Sequence, residues 1–154
     1  MKDFQIQIFV KSITNYFDKI TGISSETGVP FLKEREKSIL MEYTGVIGIS
    51  GKIKGAVYFT ADKKFLSELL EHITPGAENT NENLADIAGE LANTISGNAQ
   101  EILGRGFHIS VPVIFSKSNS TEKSSLIIKA STFVIPLRWK THKAYLAVGL
   151  EKEV

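Results

Sequence analysis

The spacing of apolar residues along the chain predicts three long amphipathic helices. Apolar side chains recur every three or four residues over 4–20, 61–73 and 82–103, which is the period of one helix face. Asn79 is expected to cap the third helix, with Glu82 at the reciprocal position of a capping box. Each helix therefore has one face to bury and one face to expose.

Shorter apolar runs bounded by turn residues predict strands. The first two strands form a hairpin that turns at Ser50-Gly51-Lys52, and the last two form a hairpin that turns within 139–143. The segment 21–30 is rich in turn-forming residues and predicts a loop. The predicted strands are 38–50, 52–60, 108–115, 124–136 and 143–151.

The order of the predicted elements is a helix, strands, two helices and further strands. Because helices and strands do not alternate strictly, this order favours an α+β fold with an antiparallel sheet over a parallel doubly wound one. The two halves are loosely repeated, since each begins with a long helix and continues into a hairpin. We therefore expect one domain over 1–154, with long helices packed on one face of the sheet and an internal pseudo-repeat.

The third predicted helix carries a polar face with a particular composition. With each residue advancing about 100° along a helix, Asp86, Glu90, Asn93 and Gly97 fall within roughly 60° of one another. An amphipathic helix needs polar residues on its outer face, but it does not need this set. The opposite side is expected to be buried and carries Leu84, Ile87, Leu91, Ile95 and Ile102.

An ordinary solvated helix face is the alternative interpretation of these polar residues. The small residues Gly89, Ala92 and Gly97 favour a binding surface instead, and Gly97 leaves room for a partner to approach. The sequence Gly-Asn-Ala that begins at Gly97 and the proline at position 112 extend the pattern.

This extended pattern resembles the signature of the CheC/CheX phosphatases, which dephosphorylate the chemotaxis response regulator CheY. The glycine-spaced hairpin over 45–59 also resembles the hairpin that precedes the signature helix of that family, and the resemblance covers most of 1–150. One full signature and the length of a lone domain indicate the CheX branch. The residues that match the signature are Asp86, Glu90, Asn93, Gly97, Asn98, Ala99 and Pro112.

The resemblance implies a phosphatase that hydrolyses the phosphoryl-aspartate of a CheY-like receiver domain. It implies that Asn93 holds the attacking water in line with the leaving carboxylate, and that Glu90 pairs with the lysine of the receiver's own active site. Asp86 and Gly97 would belong to the binding surface. No cofactor or metal of the chain's own is expected, since the Mg²⁺ would be bound by the phosphorylated partner.

Two features leave alternatives open. A non-catalytic module that binds a receiver, in the manner of the related flagellar switch proteins, is the second hypothesis, and the intact pair of Glu90 and Asn93 favours the phosphatase. In the first helix, Ser12 and Asn15 align with Glu90 and Asn93, so this helix is a candidate relic of a second site.

Composition excludes several other classes of function. A net charge of +1 gives no strong field to attract nucleic acid or an anionic membrane. The chain has no cysteine and no apolar run near the roughly 20 residues that span a bilayer, so we expect a cytoplasmic protein without membrane insertion. His72, His108 and His142 are scattered without the spacing of metal ligands.

The apolar strand candidates predict an assembly. Residues 108–115 and 124–136 are apolar and poor in charge, and an exposed strand edge of that kind invites pairing with another chain. We therefore expect a homodimer that forms through sheet edges and leaves the third helix free. The alternative is a monomer in which the N-terminal helix covers the edge.

Overall fold

The computed structural model of the protein describes residues 3–33, 38–104, 106–116 and 131–152. Within these residues the chain forms three helices and eight strands. In chain order they are α1 (Asp3–Thr21), β1 (Ser25–Thr27), β2 (Phe31–Leu32), β3 (Tyr43–Gly51), β4 (Ile53–Ala61), α2 (Lys63–Ile73), α3 (Asn81–Leu103), β5 (Phe107–Ile109), β6 (Val113–Ser116), β7 (Thr132–Trp139) and β8 (His142–Lys152).

All eight strands join one antiparallel sheet. The order across it is β1, β7, β8, β4, β3, β5, with β2 also pairing with β7 and β6 also pairing with β3. Neighbouring strands are antiparallel at every pairing. The fold is therefore α+β with an antiparallel sheet, as predicted.

The helices bury one face of this sheet. Alternate residues of the central strands, such as Ile47, Val57 and Leu146, pack with the apolar faces of α1, α2 and α3 in one core. The opposite face of the sheet carries a smaller cluster around Tyr58, which Ile39 and Leu40 partly cover. The prediction that long helices pack on one face is confirmed.

Both edges of the sheet are strands interrupted by a one-residue bulge. On one edge, the three residues 110–112 lie opposite only two residues of β3, because Ile109 pairs with Ile49 and Val113 pairs with Val46. On the other edge, residues 28–30 lie opposite two residues of β7, because Thr27 pairs with Leu137 and Phe31 pairs with Val134. An extra residue bends an edge strand and interrupts its ladder of hydrogen bonds at one point.

The sheet order is compatible with the predicted internal repeat. The first half of the chain contributes α1, β1–β2, β3 and β4, and the second half contributes α3, β5–β6, β7 and β8. If the two halves are exchanged, the strand order is the same when the sheet is followed from its other edge. The two bulges also match: the N–H of Gly28 donates to Pro136 O at 2.9 Å, and the N–H of Ser110 donates to Gly48 O at 2.9 Å. The pseudo-repeat itself stays a prediction.

Several predicted strand boundaries are wrong. The segment 21–30 is not only a loop, because it contains β1. The predicted strand 108–115 is broken by its bulge into β5 and β6, and the predicted strand 38–50 begins only at Tyr43. Within the predicted strand 124–136, residues 124–130 lie outside the described part of the chain, and the remainder is not an exposed edge because β1 and β2 cover it.

Three details of the helices also differ from the predictions. Thr80, not Asn79, caps α3, since its hydroxyl accepts the N–H of Asn83 at 3.1 Å. Ile102, which was expected to be buried, is 62% exposed near the C-terminal end of α3. Ile20 and Ile73 are likewise exposed near the ends of α1 and α2. Among the described helices, none is long and apolar enough to cross a membrane.

Candidate functional site

Helix α3 is fixed at both ends. At its N-terminus, the Tyr43 hydroxyl on β3 donates to the side-chain oxygen of Asn81, in addition to the Thr80 cap. At its C-terminus, Gly104 adopts the left-handed conformation with φ +81°, and its N–H donates to Gln100 O at 2.9 Å. A helix held at both ends presents its exposed side chains in a fixed register.

Two glycines bring the backbone of α3 against the sheet. A Cβ at Gly45 would lie 2.5 Å from Ala88 O and 2.6 Å from the Cα of Gly89, and a Cβ at Gly89 would lie 2.4 Å from Cγ2 of Ile114. All three distances are far below van der Waals contact, so neither position has room for a side chain. The expectation that Gly89 and Ala92 contribute to a binding surface is wrong, because both residues are buried in the packing of this chain.

The outward face of α3 carries the predicted site residues. Asp86 and Glu90 are exposed, and Asn93 and Gly97 are half-buried on the same face. Within the described part of the chain, the side chains of Asp86, Glu90 and Asn93 make no hydrogen bond or ion pair. Residues 82–103 contain no Lys or Arg, so this face has negative charge available for an external cation.

Gly97 differs from the other glycines of the site. A Cβ built on Gly97 meets no atom within 4 Å, and the residue lies in the middle of a regular helix. Glycine in a helix interior costs about 1 kcal/mol relative to alanine. Packing within the described residues therefore does not account for a glycine at this position.

Tyr16 of α1 borders the site on one side. Its ring is buried and packs edge-on against Phe17, with the ring centroids 5.3 Å apart. Burial, with a smaller contribution from the nearby carboxylate of Glu90, raises the pKa of Tyr16 to about 12. The phenol therefore remains neutral beside Glu90 at physiological pH. Nothing in the spacing of the sequence brings these two residues together, because the contact depends on how α1 packs against α3.

The bulged edge strand borders the site on the other side. Pro112 and Ile114 face Gly89, and further along the helix the Gln100 side-chain amide donates to Phe107 O at 2.7 Å. The loop 110–112 therefore runs beside the stretch of α3 that carries Asn93. Analysis of the sequence assigned Pro112 to a strand and overlooked Val111, which is 83% exposed within this loop.

Helix α1 does not present an equivalent pair. Asn15 is exposed, but Ser12 is buried and its hydroxyl donates to Ile8 O at 2.8 Å. The position that matches Glu90 thus faces the interior, where an uncompensated carboxylate would be costly. Only half of the candidate relic site reaches the surface.

Other candidate chemistry is structural. Within the described residues, no group of three or more His, Asp or Glu side chains is arranged to hold a metal ion. Nε2 of His142 donates to the carboxylate of Glu68 at 2.9 Å, and Nζ of Lys140 lies 2.8 Å from the other oxygen of that carboxylate. These contacts join α2 to the hairpin between β7 and β8.

Solved structures share this fold over nearly the whole chain. A CheC-like superfamily protein from Shewanella sp. PV-4 has a TM-score of 0.80 at 22% identity, with 98% of this chain and 99% of that chain covered. The chemotaxis protein CheX from Vibrio vulnificus has a TM-score of 0.78 at 22% identity, with 96% and 99% covered. The CheX of a CheX–CheY–BeF3–Mg²⁺ complex from Borrelia burgdorferi has a TM-score of 0.78 at 16% identity, with 96% and 97% covered.

The family comparison covers the region that contains the site. No curated protein matches the chain. The family described as chemotaxis phosphatase CheX matches residues 43–136, which is more than half of the chain and includes all of α3. This match, together with the shared fold, identifies the chain as a member of the CheX family of chemotaxis phosphatases.

Proposed function

We propose that the protein hydrolyses the phosphoryl-aspartate of a CheY-like receiver domain. The observation that supports this most directly is the outward pair of Glu90 and Asn93, which lack hydrogen-bond partners within the described chain. Membership of the CheX family gives the reaction class. The complex of CheX with CheY, BeF3 and Mg²⁺ from Borrelia burgdorferi supports the choice of partner.

The proposed reaction is an in-line displacement. A water oxygen attacks phosphorus, the bond between phosphorus and the aspartyl oxygen breaks, and the products are inorganic phosphate and the free aspartate of the receiver. The Asn93 carboxamide oxygen can accept a hydrogen bond from this water, and its NH2 group can donate a hydrogen bond to a phosphoryl oxygen, which orients the water opposite the leaving carboxylate. Positioning of this kind can supply several kcal/mol of the barrier.

Glu90 would bind the receiver next to the reacting group. It lies one turn before Asn93, and a carboxylate that pairs with the receiver's active-site lysine would set the register of α3 over the phosphoryl group. Asp86 adds negative charge one turn further back, and Gly97 lets the receiver approach the helix backbone. Mg²⁺ would be bound by the receiver, and this chain needs no cofactor of its own in the proposed reaction.

The proposal is tested by single-turnover dephosphorylation of receiver domains from the source organism. The protein should accelerate phosphate release from at least one of them, and Asn93→Ala should reduce this acceleration roughly 100-fold. The Asn93 side chain makes no hydrogen bond within the described chain, so Asn93→Ala should change the free energy of unfolding by urea little. Asn15→Ala is the matched control, because Asn15 is the helical asparagine of α1 that aligns with Asn93, and it should retain full activity.

Two outcomes would contradict the proposal. If the wild-type protein accelerates dephosphorylation of none of the receivers, the proposed reaction is wrong. If Asn15→Ala reduces turnover as much as Asn93→Ala, the assignment of the site to α3 is wrong.

We also propose a homodimer, which would pair through the edge formed by β1 and β2. This edge exposes Phe31 and Leu32, and it lies at the opposite side of the sheet from β5 and β6. Pairing there would leave the outward face of α3 accessible. Sedimentation at micromolar concentration tests the assembly: Phe31→Asp should shift the protein from dimer to monomer, and a wild-type protein that sediments as a monomer would exclude it.

A further inference from the structure

The loop 110–112 extends the outward face of α3 with an apolar side chain. We propose that Val111 is a docking contact for the phosphorylated receiver domain, and that it strengthens binding without taking part in the hydrolysis. This inference rests on the proposed function, because it assigns to the same partner a second surface beside Glu90 and Asn93.

The position of the loop places Val111 next to the site. Pro112 and Ile114 face Gly89, which precedes Asn93 along α3. Phe107 is hydrogen-bonded to Gln100, which follows Asn93 along the same helix. The loop must therefore pass beside the intervening turns of α3, which carry Asn93 and Gly97. Val111 is the extra residue of the bulge, and its 83% exposure shows that neither face of the sheet covers it.

The loop is held in place by its own hydrogen bonds. The N–H of Gly48 donates to the Ser110 hydroxyl oxygen at 2.8 Å, and that hydroxyl donates to Val111 O at 3.1 Å. The N–H of Ser110 donates back to Gly48 O at 2.9 Å, and Pro112 restricts the backbone that follows. A side chain on a fixed loop can be buried by a partner at little cost in conformational entropy.

The size of a specific interface brings the partner to this loop. A protein complex of ordinary stability buries at least about 500 Å² on each partner, which is more than the outward side chains of one helix can supply. A receiver whose phosphoryl group reaches Asn93 must therefore also cover surface beside α3. Tyr16 and Val111 border that helix on its two sides; Tyr16 is buried, whereas Val111 is apolar and 83% exposed.

The opposite edge of the sheet provides a matched control. Val29 precedes Pro30 as Val111 precedes Pro112, occupies the equivalent place in the other bulge, and is 85% exposed. It lies in the edge beside α1, where no glutamate matches Glu90. Residue type, local geometry and exposure are therefore shared, and the neighbouring helix differs.

The experiment compares Val111→Asp with Val29→Asp. Turnover is measured against the concentration of phosphorylated receiver, and binding is measured by calorimetry with the receiver held in its beryllofluoride-activated form. Val111→Asp should raise KM and Kd about tenfold and leave kcat at saturating receiver unchanged, since the residue does not touch the reacting atoms. Val111→Leu should keep the wild-type KM and Kd. Val29→Asp should keep them as well, because a change at the β1–β2 edge, including loss of pairing there, leaves the outward face of α3 unchanged.

The outcomes separate this inference from the proposed function. If the wild-type protein is active and Val111→Asp leaves KM and Kd unchanged, the docking contact is wrong while the phosphatase remains. If Val111→Asp and Val29→Asp weaken binding equally, the effect belongs to the sheet edges in general and the assignment is again wrong. If the wild-type protein neither hydrolyses nor binds the activated receiver, both proposals fall.

Discussion

The edge of the molecule formed by α1, β1 and β2 and the edge formed by α3, β5 and β6 have the same plan. In each, a long helix lies beside an edge strand that is bulged at a Val-Pro pair. They differ in how closely the helix packs against the sheet. At the α3 edge, Gly45 brings the backbone of β3 against the backbone of α3, whereas the equivalent position of β7 is occupied by Phe133.

The helices also differ in what they expose. Helix α3 presents both Glu90 and Asn93. Of the two aligned residues in α1, Ser12 is buried and Asn15 is exposed. Close backbone packing leaves a helix little freedom to shift, so the α3 edge combines a rigid platform with unpaired polar groups. We therefore expect the proposed activity at the α3 edge, where close packing on the sheet and unpaired polar groups occur on the same helix.

The largest expected effect comes from disturbing the close packing of α3 against β3. Gly45→Ala places a Cβ 2.5 Å from Ala88 O, which is a backbone atom that cannot move without shifting the helix. We expect the free energy of unfolding to fall by about 3 kcal/mol, as measured by urea denaturation. The matched change Phe133→Leu at the α1 edge removes part of a half-buried ring and should cost about 1 kcal/mol. Equal losses at the two positions would show that the glycine contact has no special role.

The second prediction removes the charge that distinguishes the two edges. Glu90→Ala should weaken the complex with a beryllofluoride-activated receiver by roughly 1.5–3 kcal/mol, because a charge-assisted contact is lost. Stability should change little, since Glu90 forms no ion pair within the described residues. Calorimetric titration measures the binding, and Asp86→Ala, which removes one negative charge from the same face, should weaken the complex less. An unchanged affinity and an unchanged turnover together would remove Glu90 from the site.

The sequence predicted the secondary structure and the exposed face of α3 better than the contacts between α3 and the sheet. The helical period placed Asp86, Glu90 and Asn93 on one exposed face, because that face depends only on the local geometry of α3. The same period did not reveal that Gly89 contacts Ile114, since that packing is set by β6 some 25 positions away.

The strand order could not be read from local patterns either. The short segment β1 looks like a loop because its residues favour turns, and it becomes a strand only by pairing with β7, more than 100 positions later. That pairing covers one of the two strand candidates that were expected to mediate a dimer, the one over 124–136. The break between β5 and β6 likewise follows from register against β3, which the apolar run at 108–115 does not encode.

The third prediction concerns the glycine that packing does not explain. Gly97→Ala adds a Cβ into open space, so it should stabilise the protein by up to about 1 kcal/mol. If the receiver approaches the helix backbone at this point, the same substitution should raise KM for the phosphorylated receiver several-fold. A variant that is more stable and binds less well identifies a contact surface, because a purely structural glycine could not produce that combination. Unchanged KM would remove Gly97 from the binding surface.

The smallest expected effect tests a glutamate that, unlike Glu90, has partners in its own chain. Glu68 accepts a hydrogen bond from His142 and pairs with Lys140, and these contacts, with His142 the larger cause, lower the pKa of Glu68 below 4.5. A lowered pKa in the folded state stabilises the protein above the unfolded value, and this stabilisation is lost as the pH falls through the folded value. Because the carboxylate is 41% exposed, solvent screens the pair, and Glu68→Gln should cost only about 0.5 kcal/mol at pH 7. The difference from wild type should persist above pH 4.5 and shrink below it in urea titrations, while turnover of the receiver is unaffected. A loss of turnover in Glu68→Gln would contradict the separation between a structural Glu68 and a receiver-binding Glu90. Glu68, which is bonded within the chain, would then contribute to activity as Glu90 is expected to do.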